Sequence, residues 1–157
     1  MNPILAKRRY EYYTVKSSEQ KCPFCNPDKN VIIFESKNSY IISNRFPYIY
    51  GHLLVTPKRH VEELEDLSKD ELNEILENVL FSKKILNAEL KPIGYNIGIN
   101  LGDGSGRSKK HLHWHIVPRY QGDIGFLTTL AETQVFSKDP IEMTKDLKKK
   151  TEELQKE

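Results

Sequence analysis

Hydrophobic and polar positions along the 157 residues change period several times, and each change predicts an element. VIIF at 31–34 and YIIS at 40–43 are short apolar runs joined by the polar stretch Glu35 to Ser39, which predicts a hairpin. HLLVTP at 52–57 predicts a third strand ended by Pro57, whose missing N–H stops ladder pairing. Ser68 followed by Glu71 has the form of a capping box. Leu72, Ile75, Leu76, Val79, Leu80, Leu86 and Leu90 then recur at helical spacing, so one long helix is expected over about 68–90, ended by Pro92 and Gly94. YNIGINL at 95–101 alternates as a fourth strand and His111–Val117 as a fifth; the two should pair antiparallel across the glycine-rich loop between them.

Asp139, Pro140 and Glu142 make a second helix start before the charged tail KDLKKKTEELQKE, whose Leu147 and Leu154 are too few for a firm core face. Residues 7–15, KRRYEYYTV, read as a packed arm rather than a nucleic-acid arm. The expected architecture is α+β, an antiparallel sheet of about five strands covered by one long helix. Residues 1–157 form a single domain with a short N-terminal arm and a C-terminal helical tail.

In the fifth strand the alternation carries chemistry. Three of the chain's five histidines, His111, His113 and His115, stand at every second position, while Leu112, Trp114 and Ile116 point to the opposite, apolar side. Imidazole titrates near neutrality without perturbation, so it serves as nucleophile, proton carrier or metal ligand. The bland alternatives are an exposed polar strand face or a structural metal clip. NLGDGSGRSKKH, from Asn100 to His111, can bring backbone N–H groups, the Ser108 hydroxyl and cationic charge together on phosphate, although glycine and serine between strands also simply make turns.

Charge and cysteine usage narrow the class. With 24 basic and 22 acidic residues the net charge is only +2, so no global field argues for nucleic acid or a membrane surface. No apolar run approaches membrane-spanning length, and the first ten residues lack the apolar core of a secretion signal; a soluble, cytoplasmic protein is expected. Cys22 and Cys25 form a C-x-x-C that suits half of a tetrahedral zinc site or a redox pair, but the βαβ context of a thioredoxin-type pair is missing. His60 and His111 are candidates for the other two ligands.

The row His111, His113, His115, followed by Ile116, Val117 and Pro118-Arg119, resembles the histidine triad signature of nucleotide hydrolases and transferases. Asn44, GHLLVTPKRH at Gly51–His60 and NLGDGSGRSKKH fall at that family's relative spacing, so the resemblance covers roughly residues 10 to 135. It implies the same fold and a covalent mechanism. His113 would attack the α-phosphorus and His115 would hydrogen-bond the phosphoryl oxygens. Asn100, Gly106 and Ser108 would hold phosphates or the leaving group, and Asn44 and His52 would lie on the nucleotide side. Members with this cysteine pair hold a structural zinc with a histidine after the TPK-like turn and the first triad histidine, here His60 and His111. A two-fold homodimer is also implied.

Two departures touch specificity: Tyr50 stands where a proline commonly precedes the GH pair, and Gly125 replaces the asparagine of a GDxNF run. The stretch after the triad resembles the branch acting on diadenosine polyphosphates. Because His115 stands where transferase branches carry glutamine, the expectation is hydrolysis of a dinucleoside polyphosphate such as diadenosine tetraphosphate. The alternatives are a phosphorylase or nucleotidyltransferase, and a non-catalytic nucleotide-binding or zinc-organised interaction module.

Overall fold

In a computed structural model, which describes residues 22–123 and 139–156, the apolar runs become strands β1 (Ile32–Glu35), β2 (Ser39–Ser43), β3 (Leu53–Pro57), β4 (Gly94–Ile99) and β5 (Trp114–Arg119). They form one sheet in the order β1-β2-β3-β5-β4, every neighbouring pair antiparallel. The arm at 7–15 and Gly125 lie outside the described residues.

Strand alternation sorts the sheet into two faces. Ile41, Leu53, Val55, Leu112, Trp114 and Ile116 enter the main core. On the other face, in register across three strands, Ile42 pairs with Leu54 and Leu54 with His115, and Ile42 and Leu54 make a small apolar cluster with Phe24. Chemistry and core thus occupy opposite sides of one strand, as the spacing predicts. Regular pairing of β5 begins only at Trp114, however, so His111 and His113 sit on an extended lead-in. Leu112 N–H donates to Val61 O (2.7 Å) and Thr56 Oγ1 to Leu112 O (2.9 Å), which hold that lead-in against the end of β3.

Helix α1 (Lys69–Leu90) starts as predicted: Glu71 N–H donates to Ser68 Oγ and Ser68 N–H to Glu71 Oε2, at 3.2 and 2.9 Å. Its buried stripe differs from the leucine pattern. Ile75, Val79, Ile85 and Leu86 face inward together with Asn78 and Ser82, while Leu72, Leu76 and Leu80 are exposed. The polar pair is satisfied internally, since Asn78 Nδ2 donates to Ser36 Oγ and Ser39 Oγ, both at 2.8 Å, and Ser82 Oγ to Asn78 O at 2.7 Å. Glu74 accepts from Ser36 Oγ, from Ser39 Oγ and from both Asn38 nitrogens. This network docks the β1–β2 turn on the helix and decides which way the helix faces.

The second correction concerns the tail. Helix α2 (Pro140–Leu154), capped by Asp139 accepting from Ile141 N–H at 2.7 Å, buries Met143, Thr144, Leu147 and Thr151. It packs on α1 and β1, so two helices cover the sheet rather than one. Threonine methyls complete the apolar face that leucines alone did not supply, and Thr151 Oγ1 donates to Leu147 O at 2.8 Å.

Candidate functional site

The turn before β3 delivers the first functional side chain. Gly51 has φ +86°, and a Cβ there would stand 2.8 Å from Leu90 Cδ1, so both backbone and space require glycine. His52, next in sequence, is fully buried at the head of β3. Tyr48 N–H donates to its Nδ1 (3.1 Å), so that nitrogen is an acceptor and the proton sits on Nε2. His52 Nε2 in turn lies 2.9 Å from His115 Nδ1 and donates to it. The remaining His115 nitrogen, Nε2, then carries a proton, is buried and has no partner. Asn44 completes the support, with its Nδ2 3.2 Å from His52 Nδ1 and its Oδ1 accepting from Phe46 N–H at 3.0 Å. A chain of three hydrogen bonds thus aims one N–H into the site.

His113 is oriented by a different device. Its Nδ1–H donates to the carbonyl of His111 at 2.7 Å, which leaves Nε2 with a free lone pair. Its ring lies 5.0 Å from that of His115 and 4.7 Å from that of Phe24. Burial holds all three imidazoles neutral at pH 7. It pushes His52 down to about 3 and His115 to about 4, with the neighbouring histidine charges adding to both. His113 is lowered by burial, against its bond to the His111 carbonyl, and further by the Arg107 charge.

The glycine-rich loop contributes unevenly. Asn100 lines a cavity of about 430 Å³ with Tyr48, Asn96, Gly98, His115 and Arg119. Gly106 (φ +79°) and Ser108 stand exposed on the loop and are not among its lining residues. Arg107 between them is drawn inward, its side chain only 6% exposed. Its Nη1 donates to Glu62 O at 3.1 Å, Glu63 and Asp103 carboxylates stand 3.6 Å away, and its Nε has no partner.

A second cluster adjoins the first. Cys22 Sγ lies 3.2 Å from His111 Nδ1, and Cys25 Sγ lies 3.3 Å from His60 Nδ1 and 3.5 Å from His111 Nδ1. The four donor atoms all fall within 4.8 Å of one another, so these side chains can hold a metal ion. His111 Nε2 donates to Pro57 O at 3.0 Å, which turns Nδ1 toward the thiols, and burial pushes this imidazole down to about 4. The four residues are those the sequence nominated.

The family model of the HIT domain matches residues 26–122, well over half of the chain. The chain belongs to the HIT domain family. It is 36% identical over 114 residues to the AP-4-A phosphorylase of Mycobacterium tuberculosis, an alignment covering 72% of this chain but only 58% of that protein. The zinc-bound histidine triad family protein of Mycobacterium smegmatis superposes with a TM-score of 0.71 at 26% identity, over 87% of this chain and 96% of that one. The Plasmodium falciparum diadenosine triphosphate hydrolase, solved with Cyclomarin A, gives a TM-score of 0.69 at 26% identity over 98% and 95%.

Within this HIT domain, two residues near the histidines, Phe24 and Tyr48, were not singled out from sequence, and the burial of a third, Arg107, was not foreseen. Phe24, which lies between the two cysteines of the Cys/His cluster, sits against His113. Tyr48 stacks on His115 at an interplanar angle of 11° and supplies the N–H that sets the His52 tautomer. Arg107, Lys109 and Lys110 together offered positive charge where inorganic phosphate could enter, and nothing in the sequence separates a buried guanidinium from the two lysines. No helix among the described residues is long and apolar enough to cross a membrane.

Proposed function

We propose that this HIT protein cleaves the phosphoanhydride of dinucleoside polyphosphates such as diadenosine tetraphosphate through a nucleotide carried covalently on His113. The observation that carries this reading is the pairing of a neutral imidazole lone pair, His113 Nε2, with a buried N–H that has no partner, His115 Nε2, on adjacent rings. A buried donor left unpaired costs about 1–3 kcal/mol, a penalty an incoming phosphoryl oxygen removes. His113 Nε2 attacks the α-phosphorus, a P–N bond forms, and the P–O bond to the leaving polyphosphate breaks with its electron pair. His115 Nε2–H stabilises the charge on the non-bridging oxygens while Asn44 and His52 hold the nucleotide side. Asn100, Gly106 and Ser108 are assigned to the phosphates, Asn100 from the cavity wall.

Water then attacks the phosphoramidate, releasing AMP and restoring His113. A second reading, phosphorolysis, is favoured by the likeness to the mycobacterial phosphorylase; inorganic phosphate would then accept the nucleotide and release ADP. Incubation with adenine-labelled diadenosine tetraphosphate tests both. The expected products are ATP and AMP with label trapped on one histidine. ATP with phosphate-stimulated ADP would move the protein to phosphorolysis. No label and no turnover would leave a non-catalytic nucleotide-binding or interaction module.

Zinc is the metal proposed for Cys22, Cys25, His60 and His111. In a tetrahedral zinc shell, sulfur and nitrogen ligands lie about 3.5 Å apart, which matches the separations of 3.2 to 3.5 Å here. Four protein ligands would leave no position for substrate, so the ion would be structural, and a thiol pair kept reduced for metal suits a reducing, cytoplasmic compartment. We propose a homodimer through the edge strand β4, supported by exposed Ile97 on it and exposed Ile93 and Leu101 just beyond its ends; a solution mass of a single 18.3 kDa chain would sink it.

A further inference from the structure

Among the described residues, two buried side-chain polar atoms lack a partner, His115 Nε2 and Arg107 Nε. The first is absorbed by the reading above; the second is not. Arg107 lies four positions before His111, within electrostatic reach of His113, and its side chain is 94% removed from solvent if the 6% exposure is taken from the whole. Glu63 and Asp103 supply counter-charge to Nη1 and Nη2 at ion-pair distance, but neither pairs with Nε, the buried donor that has no partner. Glu63 and Asp103 stand 3.6 Å away on side chains 50% and 79% exposed, and Asp103 is shared with Lys110 at 3.8 Å. Its one firm bond, Nη1 to the neutral carbonyl of Glu62, fixes the plane of the fork without neutralising it.

We propose that Arg107 is the ligand for the leaving side of the substrate, donating Nε–H to a non-bridging phosphate oxygen beyond the α-phosphate. This rests on the phosphoanhydride reading. As the P–N bond to His113 forms and the bridging P–O bond breaks, negative charge accumulates on the departing polyphosphate. Arg107 remains protonated throughout and transfers no proton; it acts by charge and by the direction of its donor. The site would therefore favour nucleotides whose leaving group is itself a phosphate chain over those with an uncharged leaving group.

The test reads phosphate affinity rather than turnover, so it stands apart from whether dinucleotides are cleaved. Inorganic tripolyphosphate is titrated calorimetrically into the metal-loaded full chain and into Arg107→Gln, with adenosine as the control ligand. Loss of one charge-assisted hydrogen bond should weaken tripolyphosphate about 10- to 100-fold and leave adenosine within about twofold. Unchanged tripolyphosphate affinity overturns the assignment. Weakened orthophosphate binding with tripolyphosphate intact also overturns it, since Arg107 would then serve an acceptor phosphate. If the glutamine variant does not fold, Arg107→Lys decides: a drop of about fivefold or more supports the directed Nε donor, and wild-type affinity overturns it.

Discussion

His111 and His113 are two residues apart, both buried, both neutral, and they are held for opposite purposes. In His111 a backbone carbonyl, that of Pro57, takes the Nε2 proton and presents Nδ1 to two thiols. In His113 a backbone carbonyl, that of His111 itself, takes the Nδ1 proton and presents Nε2 to the open side. The choice of ring nitrogen made by one hydrogen bond separates the proposed metal ligand from the proposed nucleophile. The two proposed roles are nonetheless linked, because the carbonyl that orients His113 belongs to a residue of the Cys22–Cys25–His60–His111 cluster.

The sharpest way to break this comparison is to remove the proposed nucleophile. His113→Ala should lower turnover of diadenosine tetraphosphate by about 10⁴-fold or more while nucleotide binding and metal content persist. His115→Ala, which removes a charge-stabilising donor and not the attacking atom, should cost about 10²- to 10³-fold. Near-native rates in the first variant would end the covalent mechanism.

Replacing Cys22 by Ser attacks the other histidine's role. The purified chain should carry about one zinc per chain, and the variant should lose most of it and melt roughly 10 °C lower, with kcat at low temperature reduced by less than about tenfold. Metal analysis after reducing purification checks this; a metal-free wild-type protein sinks the structural zinc. A loss of kcat as large as that of His115→Ala would instead mean that the cluster's hold on His113 is part of the chemistry.

The smallest effect separates the clusters by pH. His52 and His115 titrate at about 3 and 4 in the folded chain against an ordinary 6.5, so the unfolded chain takes up protons first as pH falls. Their contribution to stability is whole above pH 6.5 and is lost as pH falls toward 4 and then 3. Thermal melts of wild type and His115→Gln between pH 7 and 4.5 should show the wild type losing roughly 2–6 °C more, the metal being common to both. Parallel curves would mean that His115 is protonated in the folded state.

What the sequence determined by itself was whatever local period and local pairing can carry. The histidine alternation and the Ser68–Glu71 box each involve residues within a few positions of one another; the box appears as expected, and the alternation keeps chemistry and core on opposite sides although regular pairing starts only at Trp114. The C-x-x-C together with His60 and His111 was legible because metal-ligating residue types are few. The tertiary structure alone decided the facing of α1, since Asn78 and Glu74 meet the Ser36–Ser39 turn, which comes from outside the helix. It alone decided that Thr144 and Thr151 complete a buried face on α2, and which nitrogen of each imidazole is free, since both depend on partners far along the chain. Arg107 belongs there as well: its residue type was visible among the loop cations, but a buried Nε left without a partner is a property of the folded surroundings, and that property is what makes it a candidate phosphate ligand.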